Sequence, residues 1–176
     1  MHTLFLLELS LGTLLVLACL FDLRQRRIPN RLLGVGLIVA LVLQLGSGTP
    51  SALLTSYLAG FALGLVMFLP LYLLGGMAAG DVKLMATVGA FVGPLAVFEC
   101  SLATYCFGGV LALAIVLAKR RGRAAFANVR MLLLPIVMRA GGVRLAPEAP
   151  PASVGGMPYA LAITAGTLTV MVLRHT

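Results

Sequence analysis

Long apolar runs broken by clusters of arginine constrain this chain more than any other feature. Leu4 to Phe21 carries one carboxylate, Glu8, and otherwise no charge. At about 1.5 Å per residue it nearly crosses a hydrocarbon core of about 30 Å. Of the 176 residues, 61% are hydrophobic and 10% are charged, with a mean hydropathy of +1.09. A soluble domain carries about 25% charged residues. The expected fold is therefore all-α, a polytopic membrane helix bundle in which each helix satisfies its own backbone groups away from water. The chain, 1-176, reads as a single membrane domain.

Turn residues and arginines divide it into about six transmembrane helices. Leu4–Phe21 is the first. Asp22 to Arg31 follows as a loop holding Arg24, Arg26, Arg27 and Arg31, which places it in the cytoplasm by the positive-inside rule. Pro29 turns the chain there and Asn30 is the expected cap of the next helix. Leu32–Leu45 is the second span, and Gly46-Ser47-Gly48-Thr49-Pro50 is an outer turn. Ala52–Leu74 is the third span, with a Gly60/Gly64 pair for close helix approach and Pro70 near its inner end. The fourth is expected from about Val82 to Phe98, opened by Asp81, and carries a second pair, Gly89 and Gly93, that packs on the first or third span. Ser101–Ala118 is the fifth, followed by Lys119-Arg120-Arg121-Gly122-Arg123 on the same side as the first cluster. Met131–Met138 is too short to span and reads as interfacial or re-entrant. Gly141–Gly156 is a proline-rich loop, and Tyr159–Leu173 is the sixth span.

Charge and cysteine usage exclude several classes. The net charge of +8 is accounted for by the positive-inside clusters, so no nucleic-acid partner is expected; membrane lipid is. Cys19, Cys100 and Cys106 form no CxxC pair and read as free thiols in apolar runs. His2 and His175 lie at opposite ends of the chain, so no histidine metal site is expected, and no cofactor.

Only five acidic residues are present. Span counting leaves two of them, Asp22 and Asp81, at the cytoplasmic end of the membrane. Asp81 lies in Gly75-Gly76-Met77-Ala78-Ala79-Gly80-Asp81-Val82-Lys83-Leu84, where glycines and charges interrupt the apolar pattern. Ionisable residues at a membrane segment are costly, and mark function by default. Two carboxyl groups close together cannot both ionise easily, and such a pair can activate water while protonating a scissile carbonyl. The alternative is two independent interfacial carboxylates, Asp22 paired with Arg26 and Asp81 with Lys83.

Two strings narrow the choice. Asp22 with Arg27-Ile28-Pro29-Asn30, and Gly80-Asp81-Val82-Lys83-Leu84 followed by Ala86, Gly89 and Gly93, resemble the signature of the type 4 prepilin peptidases, membrane aspartic peptidases of the GxGD class. Met157-Pro158-Tyr159-Ala160, with Ala162 and Gly166, resembles the start of that family's last span. The resemblance implies Asp22 and Asp81 as catalytic residues, with Arg27, Asn30, Gly80 and Lys83 supporting them. Ala78 stands in the first glycine position of GxGD, and Ala160 where glycine is common. The paired-CxxC amino-terminal region of the larger, methylating members is not seen. The chain is thus similar to the short, peptidase-only members associated with Flp-type (tight-adherence) pili. The implied substrate is a prepilin or pseudopilin, cut at the cytoplasmic face of the bacterial inner membrane. A non-enzymatic transporter or assembly component, and a GxGD protease acting on other membrane proteins, are the rival readings. A transporter more often carries carboxylates near the midplane and an internal repeat, and neither is found.

Reporter fusions test the topology. Fusions after Arg27 and after Arg121 are expected to report cytoplasm, and one at Gly48 the outside; an outside signal at Arg121 removes the six-span arrangement.

Overall fold

The computed structural model describes residues 2–46, 53–118 and 158–175. These form helices and short turns, with no strand among the described residues, as an all-α membrane bundle requires. They fall into two compact units, Met1–Gly109 with Pro158–Thr176, and Val110–Met157. The expected interfacial helix Met131–Met138, the loop Gly141–Gly156 and the second basic cluster lie outside the described residues.

Helix α1, His2–Gln25, buries Leu11, Leu14, Leu15, Ala18 and Asp22 along one helical stripe. The expected loop at Asp22 is therefore corrected: Asp22 is the last residue of a buried helical face. No breaker stands before Pro29, so the helix runs on for another turn. It closes where the Arg26 N–H donates to the Asp22 carbonyl at 2.9 Å and Arg26 takes a positive φ of 52°. Helix α2, Asn30–Leu45, starts from Pro29, whose carbonyl accepts from the Leu32 and Leu33 N–H groups. The expected Asn30 cap is not formed. Proline already supplies the extended φ/ψ of a cap position, which makes Asn30 the first helical residue and leaves its side chain free to reach elsewhere.

A π-helical turn, Leu53–Leu58, leads into helix α3, Ala59–Leu73. Its end is a Schellman motif. The Gly76 N–H donates to the Leu71 carbonyl, the Gly75 N–H to the Tyr72 carbonyl, and Gly75 sits at φ 74°. Gly75 is thus the position in this loop that needs glycine. Ala78, at the first glycine position of the motif this loop resembles, has no positive φ and carries no strain of that kind.

Ala79–Ala118 (α4) is two helices that meet at a kink at Gly93. Every residue from Leu84 to Phe91 is buried, so this stretch is covered on all sides. It packs on α3 at backbone contact. A Cβ added at Gly60 would fall on the Gly89 carbonyl, and one at Gly89 on the Gly60 carbonyl; one at Gly64 would lie 2.5 Å from the Met85 oxygen. The expected GxxxG approach is therefore real for Gly60, Gly64, Gly89 and Gly93, with α3 as the partner: a Cβ at Gly60 would also lie 2.9 Å from the Gly93 Cα. Gly93 has a second role. It takes φ 80° and ψ 175°, a region that side chains rarely enter, directly before Pro94.

The chain reverses at that point. Before it, Met85 meets Gly64 and Gly89 meets Gly60, moving toward the start of α3. After it, Tyr105 has returned to Met67 and Phe68: its hydroxyl donates to the Met67 carbonyl, and its ring stacks on Phe68 at 5.0 Å. The break expected near Glu99 thus lies at Gly93-Pro94, where proline disfavours helical geometry in the residue before it and glycine accepts the alternative.

Helix α5, Tyr159–His175, buries Ala160, Ala162, Ile163, Gly166, Thr167 and Val170. It runs antiparallel to α1: Ala160 meets Asp22 at one end, and His175 lies 2.7 Å from Glu8 at the other. Arg174 pairs with Glu99 at 2.9 Å on that same far end. Phe5–Gln25, Thr55–Leu73 and Ala79–Ala118 are long and apolar enough to cross a membrane, and Asn30–Leu45 is a shorter apolar helix.

Gly89→Ala is expected to destabilise the detergent-solubilised protein by about 3 kcal/mol or more, because a methyl group has no space between two backbones. Gly12→Ala, where nothing lies within 4 Å of the added Cβ, should cost nothing. Thermal unfolding followed by size-exclusion chromatography separates the two.

Candidate active site

Helix ends converge at one end of the first unit: the last turns of α1 and α3 and the first turns of α2, α4 and α5. Of these, α1, α2, α4 and α5 contribute residues to one cluster. An apolar bundle can hold a carboxylate there because helix starts leave N–H groups without partners in their own helix.

Asp81 is 5% exposed and is the third residue of α4. Its Oδ2 accepts from the Ala78 N–H at 3.3 Å, one half of a capping box, in which the third helical residue reaches back to the cap. Asp22 is 9% exposed. Its Oδ2 accepts from the Ala160 N–H at 3.2 Å, 138 positions further along the chain, at the first turn of α5. The two carboxyl groups lie close enough to interact electrostatically. Tyr159 adjoins them: it is electrostatically coupled to Asp81 and stands edge-on to Phe68 at 6.4 Å.

Two contacts join the first motif string to the second. The Lys83 ammonium donates to Asn30 Oδ1 at 3.2 Å. Gly80 faces Ile28, where an added Cβ would lie 3.5 Å from the Ile28 Cβ, an ordinary van der Waals contact. Arg27 is exposed, as are Lys83 and Asn30. Asp22, Asp81, Gly80, Asn30 and Lys83 are thus brought together, and Arg27 stands at the edge of the group on the α1–α2 turn. Among the described residues no group of three or more His, Cys, Asp or Glu side chains could hold a metal ion.

Neither ion pair weighed from the sequence is formed. Arg26 leaves helical geometry and acts on Asp22 through space without a direct ion pair, and Lys83 turns to Asn30. The contribution of α5 is what the sequence reading missed. Its signal is the proline before a helix start, Pro158-Tyr159, on the side that carries the aspartates, since such a start offers free N–H groups to any nearby carboxylate.

The comparisons with known proteins bear on the same residues. A family model described as the type IV leader peptidase family matches residues 9–113, a stretch that includes both aspartates and both strings. No curated protein and no solved structure matches the chain. Because the family model covers more than half of the sequence, the chain belongs to the type IV leader peptidase family.

Proposed function

We propose that this membrane protein is an aspartic endopeptidase that removes the leader peptide of prepilins or pseudopilins. The observation that carries the reading is the pair of buried carboxylates, Asp22 and Asp81, set at one end of the bundle and each tied to a backbone N–H. Family membership supports a leader-peptidase activity for the chain.

One carboxylate takes a proton from a water molecule, whose oxygen attacks the scissile carbonyl carbon. The other, protonated, donates to the carbonyl oxygen, giving a neutral tetrahedral intermediate. Collapse re-forms the carbonyl, the C–N bond breaks, and the amine leaves with a proton from the dyad. The two groups titrate as a pair, so neither role belongs to one aspartate alone. Lys83 and Asn30 hold the starts of α2 and α4 together, and Gly80 faces Ile28 beside the Asp81 turn.

The substrate class rests on the family resemblance. A prepilin presents a short basic leader before an apolar helix. The α1–α2 turn is itself basic, so charge does not draw the leader in, and docking rests on the apolar helix within the membrane. Cleavage at the cytoplasmic face of the bacterial inner membrane accords with the arginine count of that turn. The similarity to short, peptidase-only members supports peptide cleavage without methyl transfer, in Flp-type pilus biogenesis.

Asp22→Asn and Asp81→Asn are each expected to reduce prepilin processing by about 100-fold or more while the protein stays inserted, because asparagine keeps the volume but cannot shuttle the proton. Lys83→Met should be milder. Glu99→Gln, at the far end of the bundle, should process normally. The readout is the mobility shift of a co-expressed prepilin, with peptidase level checked by immunoblot. Full processing by Asp22→Asn contradicts the assignment.

A further inference from the structure

Asp81 takes its N–H from Ala78 in its own turn, so donor and acceptor move together. Asp22 takes its N–H from a helix that begins 138 positions later. The geometry of Asp22 therefore depends on where α5 docks, and that docking is set by contacts other than Asp22.

Three of them fix the first turns of α5. Tyr159 stands edge-on to Phe68, and Gly108 lies under its phenol so closely that a Cβ there would come 2.8 Å from the hydroxyl oxygen and 3.1 Å from Cζ. Thr164 Oγ1 donates to the carbonyl of Ala160 at 2.8 Å and approaches that of Leu15 in α1 at 3.4 Å. Gly166 meets the α4 backbone, where an added Cβ would lie 2.6 Å from the Thr104 nitrogen. Ala160 itself is fully buried. Its N–H is a first-turn donor that no acceptor in its own helix can satisfy, and Asp22 Oδ2 is the acceptor it finds.

We infer that the Ala160 backbone N–H is a positioning donor for peptide cleavage: it holds Asp22 through Oδ2 and leaves the other carboxyl oxygen for the proton shared with water and Asp81. Tyr159 and Gly108 act through it, by setting where the first turn of α5 lies. This rests on the aspartic-peptidase reading of Asp22 and Asp81. It assigns a role to a segment that lies beyond the residues covered by the family match. Docking of α5 then completes the site, because without it the Asp22 carboxylate lacks its donor.

The test replaces one atom. In the full-length chain, made by cell-free synthesis into liposomes, Ala160 is exchanged for its α-hydroxy acid, which turns the amide N–H into an ester oxygen and keeps the side chain. The substrate is a synthetic prepilin-type peptide with a basic leader ending in glycine before an apolar helix. Loss of a hydrogen bond to a charged group predicts a fall in kcat of about 10- to 100-fold, with KM within about twofold. The same exchange at Leu168, an exposed position on α5, should leave kcat unchanged. An unchanged kcat at position 160, or a change in KM alone, overturns the inference. Should the ester prevent folding, Gly108→Ala decides. It is expected to lower kcat by crowding Tyr159, and Tyr159→Phe added to it should restore kcat by removing the hydroxyl that collides; full activity of Gly108→Ala, or no recovery in the double variant, overturns the inference. Asp22→Asn is run beside these variants. If it cleaves at full rate, the aspartic-peptidase reading itself falls, an outcome distinct from a silent ester in an enzyme that still needs Asp22.

Discussion

A carboxylate in an apolar bundle needs a hydrogen-bond donor, and around Asp22 and Asp81 the donors the structure shows are the first N–H groups of helices. Inside a helix every N–H is committed to the carbonyl four residues back; only the first turn has N–H groups to give. The cluster can therefore exist only where helix starts gather. The fold satisfies this by ending α1 and α3 and starting α2, α4 and α5 at the same end. Asp81 is served by its own turn and Asp22 by a distant one. That difference makes Asp22 the member of the pair that depends on the whole bundle.

Convergence of helix ends requires helices packed closely enough to bring their termini within reach. Glycine does this where α3 meets α4, at Gly60, Gly64 and Gly89, with the two backbones in contact. On α2, Gly36 faces side chains and not backbone: an added Cβ would meet the terminal methyl of Leu14 in α1. Gln44 adds a polar tie, donating to the Ala90 carbonyl at 2.7 Å. The hydroxyls of Thr87, Ser101 and Thr104 are satisfied by carbonyls one turn back in their own helix, which lets polar residues lie on buried faces at little cost. At the opposite end, Glu8 with His175 and Glu99 with Arg174 join α5 to α1 and α4. These pairs are exposed, so their contribution is to alignment more than to stability.

Much of this was legible in the sequence. Hydropathy gave the all-α membrane class, the arginines and turn residues gave the approximate helix limits, and two short strings pointed to Asp22 and Asp81. Three features were not legible, each for a physical reason. The end of α1 was placed too early because Asp22 and the arginines look like a loop, whereas a helix continues until a breaker stops it, and the breaker is Pro29. Gly93 does pack on Gly60, as its spacing from Gly89 suggests, but a glycine before a proline also marks a reversal, which the spacing alone does not show. The Ala160–Asp22 bond could not be read at all, because its donor is a backbone N–H and carries no residue-type signal. Only the juxtaposition of α1 and α5 in three dimensions reveals it.

The turn after Asp22 and the turn before Asp81 meet at Ile28 and Gly80. The most direct measurement of this contact is a disulfide between them. An added Cβ at position 80 lies 3.5 Å from the Cβ of Ile28, within the usual range for a disulfide of about 3.5–4.5 Å. Ile28→Cys with Gly80→Cys, in a chain whose Cys19, Cys100 and Cys106 are replaced by alanine, is oxidised in native membranes. It is then cut at a protease site inserted at Gly48. The two fragments are expected to stay joined until a reductant is added. Fragments that separate without reductant, from a protein shown to be inserted and folded, would contradict this contact.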